Sequence, residues 1–209
     1  THAVVLLHGL GRSKDAMGAL AQAFAENACE VINVNYPSTR AKLEEHAAQI
    51  HRILSRLWGI STVSFVTHSM GGIVARTALG DLDPQPPWRH RLHVHRLLMI
   101  FPPSQGAAAA QKWRQVGIAR QIMGPPLDEL SPENADAIPV PNCPFAIIGG
   151  TRDRRVSLEE AKLPGAEAFF ELDVEHTFGM RHPEVLKTAL NYIVWGGPDG
   201  AGNHGGRSQ

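Results

Sequence analysis

The sequence predicts an α/β protein: one domain built on a mostly parallel sheet of about six strands, with helices on both faces. Three observations carry that prediction. Strand-length apolar runs alternate with segments of helical periodicity, the order that produces parallel strands joined by crossover helices. One of those runs breaks at Ser69 and turns directly into a helix. The chain has 209 residues, enough for one substantial core without disulfide or metal support.

The first strand falls near residues 3–8, Ala3-Val4-Val5-Leu6-Leu7-His8, and ends in the glycine-rich turn Gly9-Leu10-Gly11-Arg12. A helix is expected near 14–27 and a second strand near 30–35. The helix near 42–58 has the clearest pattern. Leu43, Ala47, Ile50, Ile53, Leu54 and Leu57 keep one stripe, while Lys42, Glu44, Glu45, Gln49, Arg52 and Arg56 face outward. A third strand near 62–67 leads through Ser69 into a helix near 70–80. Pro84-Gln85-Pro86-Pro87 reads as a rigid connector. Strands near 94–101, 144–149 and 167–172 and a closing helix near 182–195 complete the set.

The stretch from about 102 to 141 differs from the rest. It holds Pro102, Pro103, Pro125, Pro126, Pro132, Pro139 and Pro141, with an interrupted helical pattern through 107–110 and 113–122. A connection this long inside one domain is expected to be functional, here a small lid or pocket wall; a plain surface excursion is the alternative. Residues 1–195 then form the domain. Residues 196–209, rich in Gly and without a large apolar side chain, read as a flexible tail.

Composition excludes several classes of function. Twenty basic and 20 acidic residues cancel, so no basic field exists to hold nucleic acid. The apolar runs are strand-length, well short of a membrane span. Cys29 and Cys143 stand alone at the entrances of apolar strands and read as small core residues rather than a disulfide. That favours the cytoplasm. The chain opens on Thr1 without a signal-peptide pattern, so export after removal of a leader stays open, as does the oligomeric state.

The chemistry concentrates at Val63-Ser64-Phe65-Val66-Thr67-His68-Ser69-Met70-Gly71-Gly72. Ser69 is flanked two residues either side by the small residues Thr67 and Gly71, which a sharp strand-to-helix turn requires. Downstream, the strand of Pro144 to Ile148 runs through Gly149-Gly150-Thr151-Arg152 to Asp153, and the strand of Ala168 to Leu172 is followed by Asp173-Val174-Glu175-His176. Together with His8-Gly9, these four motifs resemble the α/β-hydrolase family, in particular its compact lipase-like and esterase-like members. The usual elbow begins with Gly, and Thr67 is a small departure from it. Serine, acid, histidine is the family's chain order.

That resemblance implies an α/β-hydrolase fold without the family's usual leading hairpin. It also implies a serine hydrolase, an esterase or lipase acting on a small-molecule or lipid ester. Ser69 is the implied nucleophile, His176 the base and Asp153 the acid. The N–H groups of Leu10 and Met70 are the implied oxyanion hole, and no metal or organic cofactor is required. Trp113, Ile118, Ile122 and Met123 offer apolar wall material for binding a short or medium acyl chain. Asp128, Asp136 and Asp173 are the competing acids, and His182 is the competing base. His8 and His68 are read as packing and hydrogen-bonding around the site. His93 and His95, two apart on one strand, could share a face and bind a metal; the cations around them favour a solvated basic edge. Acyl transfer, thioester cleavage or a binding role without chemistry are the alternative functions, since one fold hosts all of them.

Overall fold

The computed structural model describes residues 1–82, 84–106, 129 and 136–196. Six strands form its sheet: β1 (His2–Leu7), β2 (Glu30–Val34), β3 (Thr62–His68), β4 (His93–Ile100), β5 (Phe145–Gly150) and β6 (Ala168–Leu172). They lie in the order β2-β1-β3-β4-β5-β6, and every pairing is parallel. The helices are α1 (Gly18–Glu26), α2 (Leu43–Ser55), α3 (Met70–Leu79), α4 (Leu158–Ala161) and α5 (Pro183–Val194). All six strands and the four long helices fall where the sequence pattern puts them. The first helix begins as a 3-10 turn, Lys14–Met17, with Ser13 as its N-cap. One turn of helix, α4, is too short for periodicity to register. Its N-terminus carries a capping box, in which Ser157 Oγ accepts from Glu160 N–H and the Glu160 carboxylate accepts from Ser157 N–H.

The sheet is covered on both sides, which is why its central strands are almost continuously apolar. Alternate residues feed two cores. Ala3, Val5 and Leu7 of β1, Phe65 of β3, Leu97 and Met99 of β4 and Ile147 of β5 pack with α2 and α3. Val4, Leu6, Val66, Leu98, Ile100 and Ile148 pack on the opposite face with Leu20, Phe24, Val185, Ala189 and Tyr192 of α1 and α5. The edge strands β2 and β6 are only half-buried, as their mixed composition requires. Between β3 and β4 the register slips so that Val63 pairs Val94 and Ser64 pairs Arg96, leaving His95 as the extra residue.

The chain runs from β1 to β2 at one side and returns to place β3 on the other side of β1. Where strand order reverses in this way, the crossovers diverge and leave a crevice beyond the carboxyl ends of the two strands. Those ends carry His8-Gly9 and His68-Ser69. Among the described residues, no helix is long and apolar enough to cross a membrane. Of the expected lid, 107–128 and 130–135 lie outside the described residues, as do 197–209 of the expected tail.

Candidate active site

Ser69 sits between β3 and α3 with φ 51° and ψ −124°, a conformation that side chains other than glycine rarely adopt. Tertiary contacts hold it there. Its N–H donates to Ile100 O at 2.8 Å, and its carbonyl accepts from Gly72 N–H at 2.9 Å. The turn presses α3 onto the end of β1. A Cβ at Gly71 would stand 2.5 Å from Leu7 O, so that position admits glycine alone. Thr67 is tolerated because its side chain lies along the sheet, with Oγ1 reaching toward Leu98 O at 3.4 Å.

His176 lies in the loop after β6 and is 7% exposed. Its Nε2 is 3.0 Å from Ser69 Oγ, and its Nδ1 is 2.6 Å from Asp153 Oδ2. A carboxylate only accepts, so the ring proton belongs on Nδ1 and Nε2 is left as the acceptor for the serine hydroxyl. Asp153 follows β5, and its side chain is fully buried. Its other oxygen accepts from Arg155 N–H at 2.8 Å and Val156 N–H at 3.0 Å. Three donors therefore fix the carboxylate.

Of the competing candidates, Asp173 and His182 are engaged elsewhere. Asp173 is exposed and binds Thr151 Oγ1 and Arg152. Asp136 is exposed, and Asp128 lies outside the described residues. His182 caps α5, its Nδ1 accepting from Glu184 N–H at 3.3 Å. Trp113, Ile118, Ile122 and Met123 also lie outside the described residues. The rings of His93 and His95 stand 6.4 Å apart between centroids. Among the described residues, no group of three or more His, Cys, Asp or Glu side chains is placed to hold a metal ion. Cys29 and Cys143 are free thiols, the second pushed up to about 12 by burial.

Leu10 and Met70 bring two backbone N–H groups to the same end of the sheet. Among the described residues neither has an intramolecular acceptor. The Leu10 loop is packed directly on the elbow: a Cβ on Gly9 would stand 2.9 Å from His68 Nδ1 and 3.2 Å from Ser69 Cβ. Its outer side is braced from the loop after β2, where Tyr36 hydroxyl donates to His8 O and Ser38 Oγ accepts from Gly11 N–H. The His8 ring stacks on Tyr36 and donates Nδ1–H to Gly9 O at 2.9 Å. Tyr36 and Ser38 have no signature in the sequence, because their role exists only once β2 lies beside β1.

His68 completes the site from beneath. It is 2% exposed, and its Nε2–H donates to the carbonyl of His176 at 3.0 Å, tying the elbow to the histidine loop. Burial, and then the neighbouring His176, hold it well below the usual histidine range, so it stays neutral. Phe101, also at positive φ, packs edge-on to His68 and tilted against His176.

The model of the alpha/beta hydrolase family matches residues 4–189. No curated protein sequence matches the chain. Among solved structures, the chain is similar to the mature Bacillus licheniformis lipase BlEst2, at 18% identity over 92% of this chain and 89% of that one, with a TM-score of 0.67. It is similar to a thermophilic esterase from Thermogutta terrifontis at 16% identity, 92% and 89% coverage and a TM-score of 0.65. A pyrethroid hydrolase from Sphingobium faniae JZ-2 shares 15% identity over 91% and 96% of the two chains, with a TM-score of 0.61. At these identities the likeness is one of fold.

Proposed function

Because the chain belongs to the alpha/beta hydrolase family, we propose that it is a serine hydrolase cleaving carboxylic esters through an acyl-enzyme on Ser69. One observation carries the proposal: the unbroken line from Asp153 through His176 to Ser69, at 2.6 and 3.0 Å. An alkyl hydroxyl is a weak nucleophile at neutral pH and needs an adjacent base. His176 Nε2 takes the Ser69 proton as Oγ attacks the ester carbonyl. The negative charge moves to the carbonyl oxygen, where the N–H groups of Leu10 and Met70 receive it. Such a donor is typically worth about 3 kcal/mol of barrier. As the tetrahedral adduct collapses, His176 returns the proton to the departing alcohol oxygen. Water then enters through the same base, releases the carboxylic acid and regenerates Ser69. Asp153 stays ionised throughout, holding the imidazole in its working tautomer and stabilising the imidazolium.

A fluorophosphonate probe tests the reading, together with Ser69→Ala. The wild type should be labelled at Ser69, and the variant should lose labelling and turnover of p-nitrophenyl esters while unfolding at nearly the same temperature. Labelling at another residue, or substantial turnover by the variant, would overturn the assignment.

A further inference from the structure

Beside His176 a surface cleft of about 510 Å³ opens between the loop after β5 and the loop after β6. Arg154, Arg155, Glu175 and Thr177 border it together with His176. Arg152 borders it as well but is already matched, with Nε 3.0 Å from Asp173 Oδ1 and Nη2 donating to Asp173 O at 2.7 Å. Arg154 and Arg155 differ: among the described residues, neither guanidinium has a hydrogen-bond or ion-pair partner. Arg12 is a third such cation, two residues beyond Leu10 on the loop packed against the elbow. Arg12 and Arg155 both add electrostatically to the depression of His68 basicity. Against these charges the cleft sets Glu175 and Asp153, the latter committed to His176 and to the N–H groups of Arg155 and Val156.

Two exposed guanidinium groups, without partners among the described residues, stand at the cleft beside His176, a donor set suited to an anion. The side of the substrate that would carry the anion also follows from the chemistry. His176 returns its proton to the alcohol oxygen, so the alcohol half of an ester lies toward His176 and its cleft.

Resting on the hydrolase reading above, we propose that this cleft is a subsite for a carboxylate or phosphate carried on the alcohol half of the substrate. Arg154 and Arg155 hold the anion. Guanidinium forks match both anions with paired N–H donors, and Thr177 borders the same cleft.

The test compares four esters: p-nitrophenyl butyrate, its ring-carboxylated analogue, p-nitrophenyl hemiglutarate with the charge in the acyl half, and a butyryl ester of glycerol phosphate. In the double variant Arg154→Gln, Arg155→Gln, the ratio of kcat/KM for the ring-carboxylated ester over the neutral one should fall about tenfold, mainly through KM, as expected for loss of a charge-assisted contact. Because it is a ratio, partial damage to the fold cancels. The hemiglutarate ratio should move less than about twofold, and raised salt should erode the wild-type preference, since the arginines are exposed. A fall for the phosphate ester alone identifies phosphate as the anion; a fall for both identifies a general anion subsite. Ratios for both within about twofold of wild type would overturn the subsite while the neutral ester still reports the hydrolase. No turnover of any ester by the wild type would overturn the hydrolase reading itself.

Discussion

Asp153 and Asp173 each follow a strand at the same end of the sheet, and their surroundings separate them. Asp153 is buried, with its two oxygens shared among His176 Nδ1–H and the N–H groups of Arg155 and Val156. Asp173 is 76% exposed at its side chain and pairs with Arg152 in solvent, an arrangement worth little to stability. Asp153→Asn keeps the shape but turns an amide toward the imidazole, favouring the tautomer with Nε2 protonated and unable to accept from Ser69. We expect ester turnover to fall by up to about 10⁴-fold. Asp173→Asn should cost less than about tenfold. Steady-state kinetics on one p-nitrophenyl ester decides it, and a silent Asp153→Asn beside a crippled Asp173→Asn would reverse the assignment.

At the scale of elements, α3 has two tasks. Its first turn begins the site, and its middle anchors the insertion. Arg76 is 2% exposed. Its guanidinium donates to Ser104 O at 3.1 Å on one root of the insertion, and to Ile138 O at 2.7 Å and Pro139 O at 2.9 Å on the other. Burial lowers it to about 10. At neutral pH that leaves it charged, which is how it serves three carbonyls at once. The pattern of α3 gives a hint of this. All its residues but Thr77 are buried, and a charge inside such a helix must find partners. Arg76→Met preserves length and bulk but leaves the carbonyls without donors. It should destabilise the protein by about 2–4 kcal/mol, read as a lower urea midpoint; a change under about 0.5 kcal/mol would show that the roots hold without it.

The whole molecule stores a dependence on acid in its buried and half-buried histidines. His8, His46, His51 and His68 are all pushed below 6.5, in each case chiefly by burial. Above that value the folded and unfolded chains both leave these rings neutral, and pH has no leverage through them. Below it the unfolded chain takes up protons that the native rings refuse, so the native state loses stability as pH falls. Each such ring contributes a slope of up to about 1.4 kcal/mol per pH unit. The melting temperature should therefore be flat from about pH 8 to 7 and drop increasingly below 6.5, and His68→Gln should make the drop shallower. An unchanged melting temperature down to pH 5 would show that the rings protonate in place.

By itself, the sequence determined the local order of this protein: six strands, four long helices, a strained serine turn at Thr67 to Gly71, and strand ends carrying Asp153 and His176. Those features are readable because period, turn chemistry and strand length are properties of neighbouring residues. Only the tertiary structure decided which distant groups meet. It set Asp153 rather than Asp173 against His176, turned His182 into a helix cap, joined His68 to the His176 carbonyl, braced the Leu10 loop with Tyr36 and Ser38, and closed Arg76 on both roots of the insertion. Each of those contacts depends on the strand order and on which loops the sheet brings to its carboxyl end. Spacing along a chain does not encode a direction in space, so such partners emerge only when the sheet is assembled.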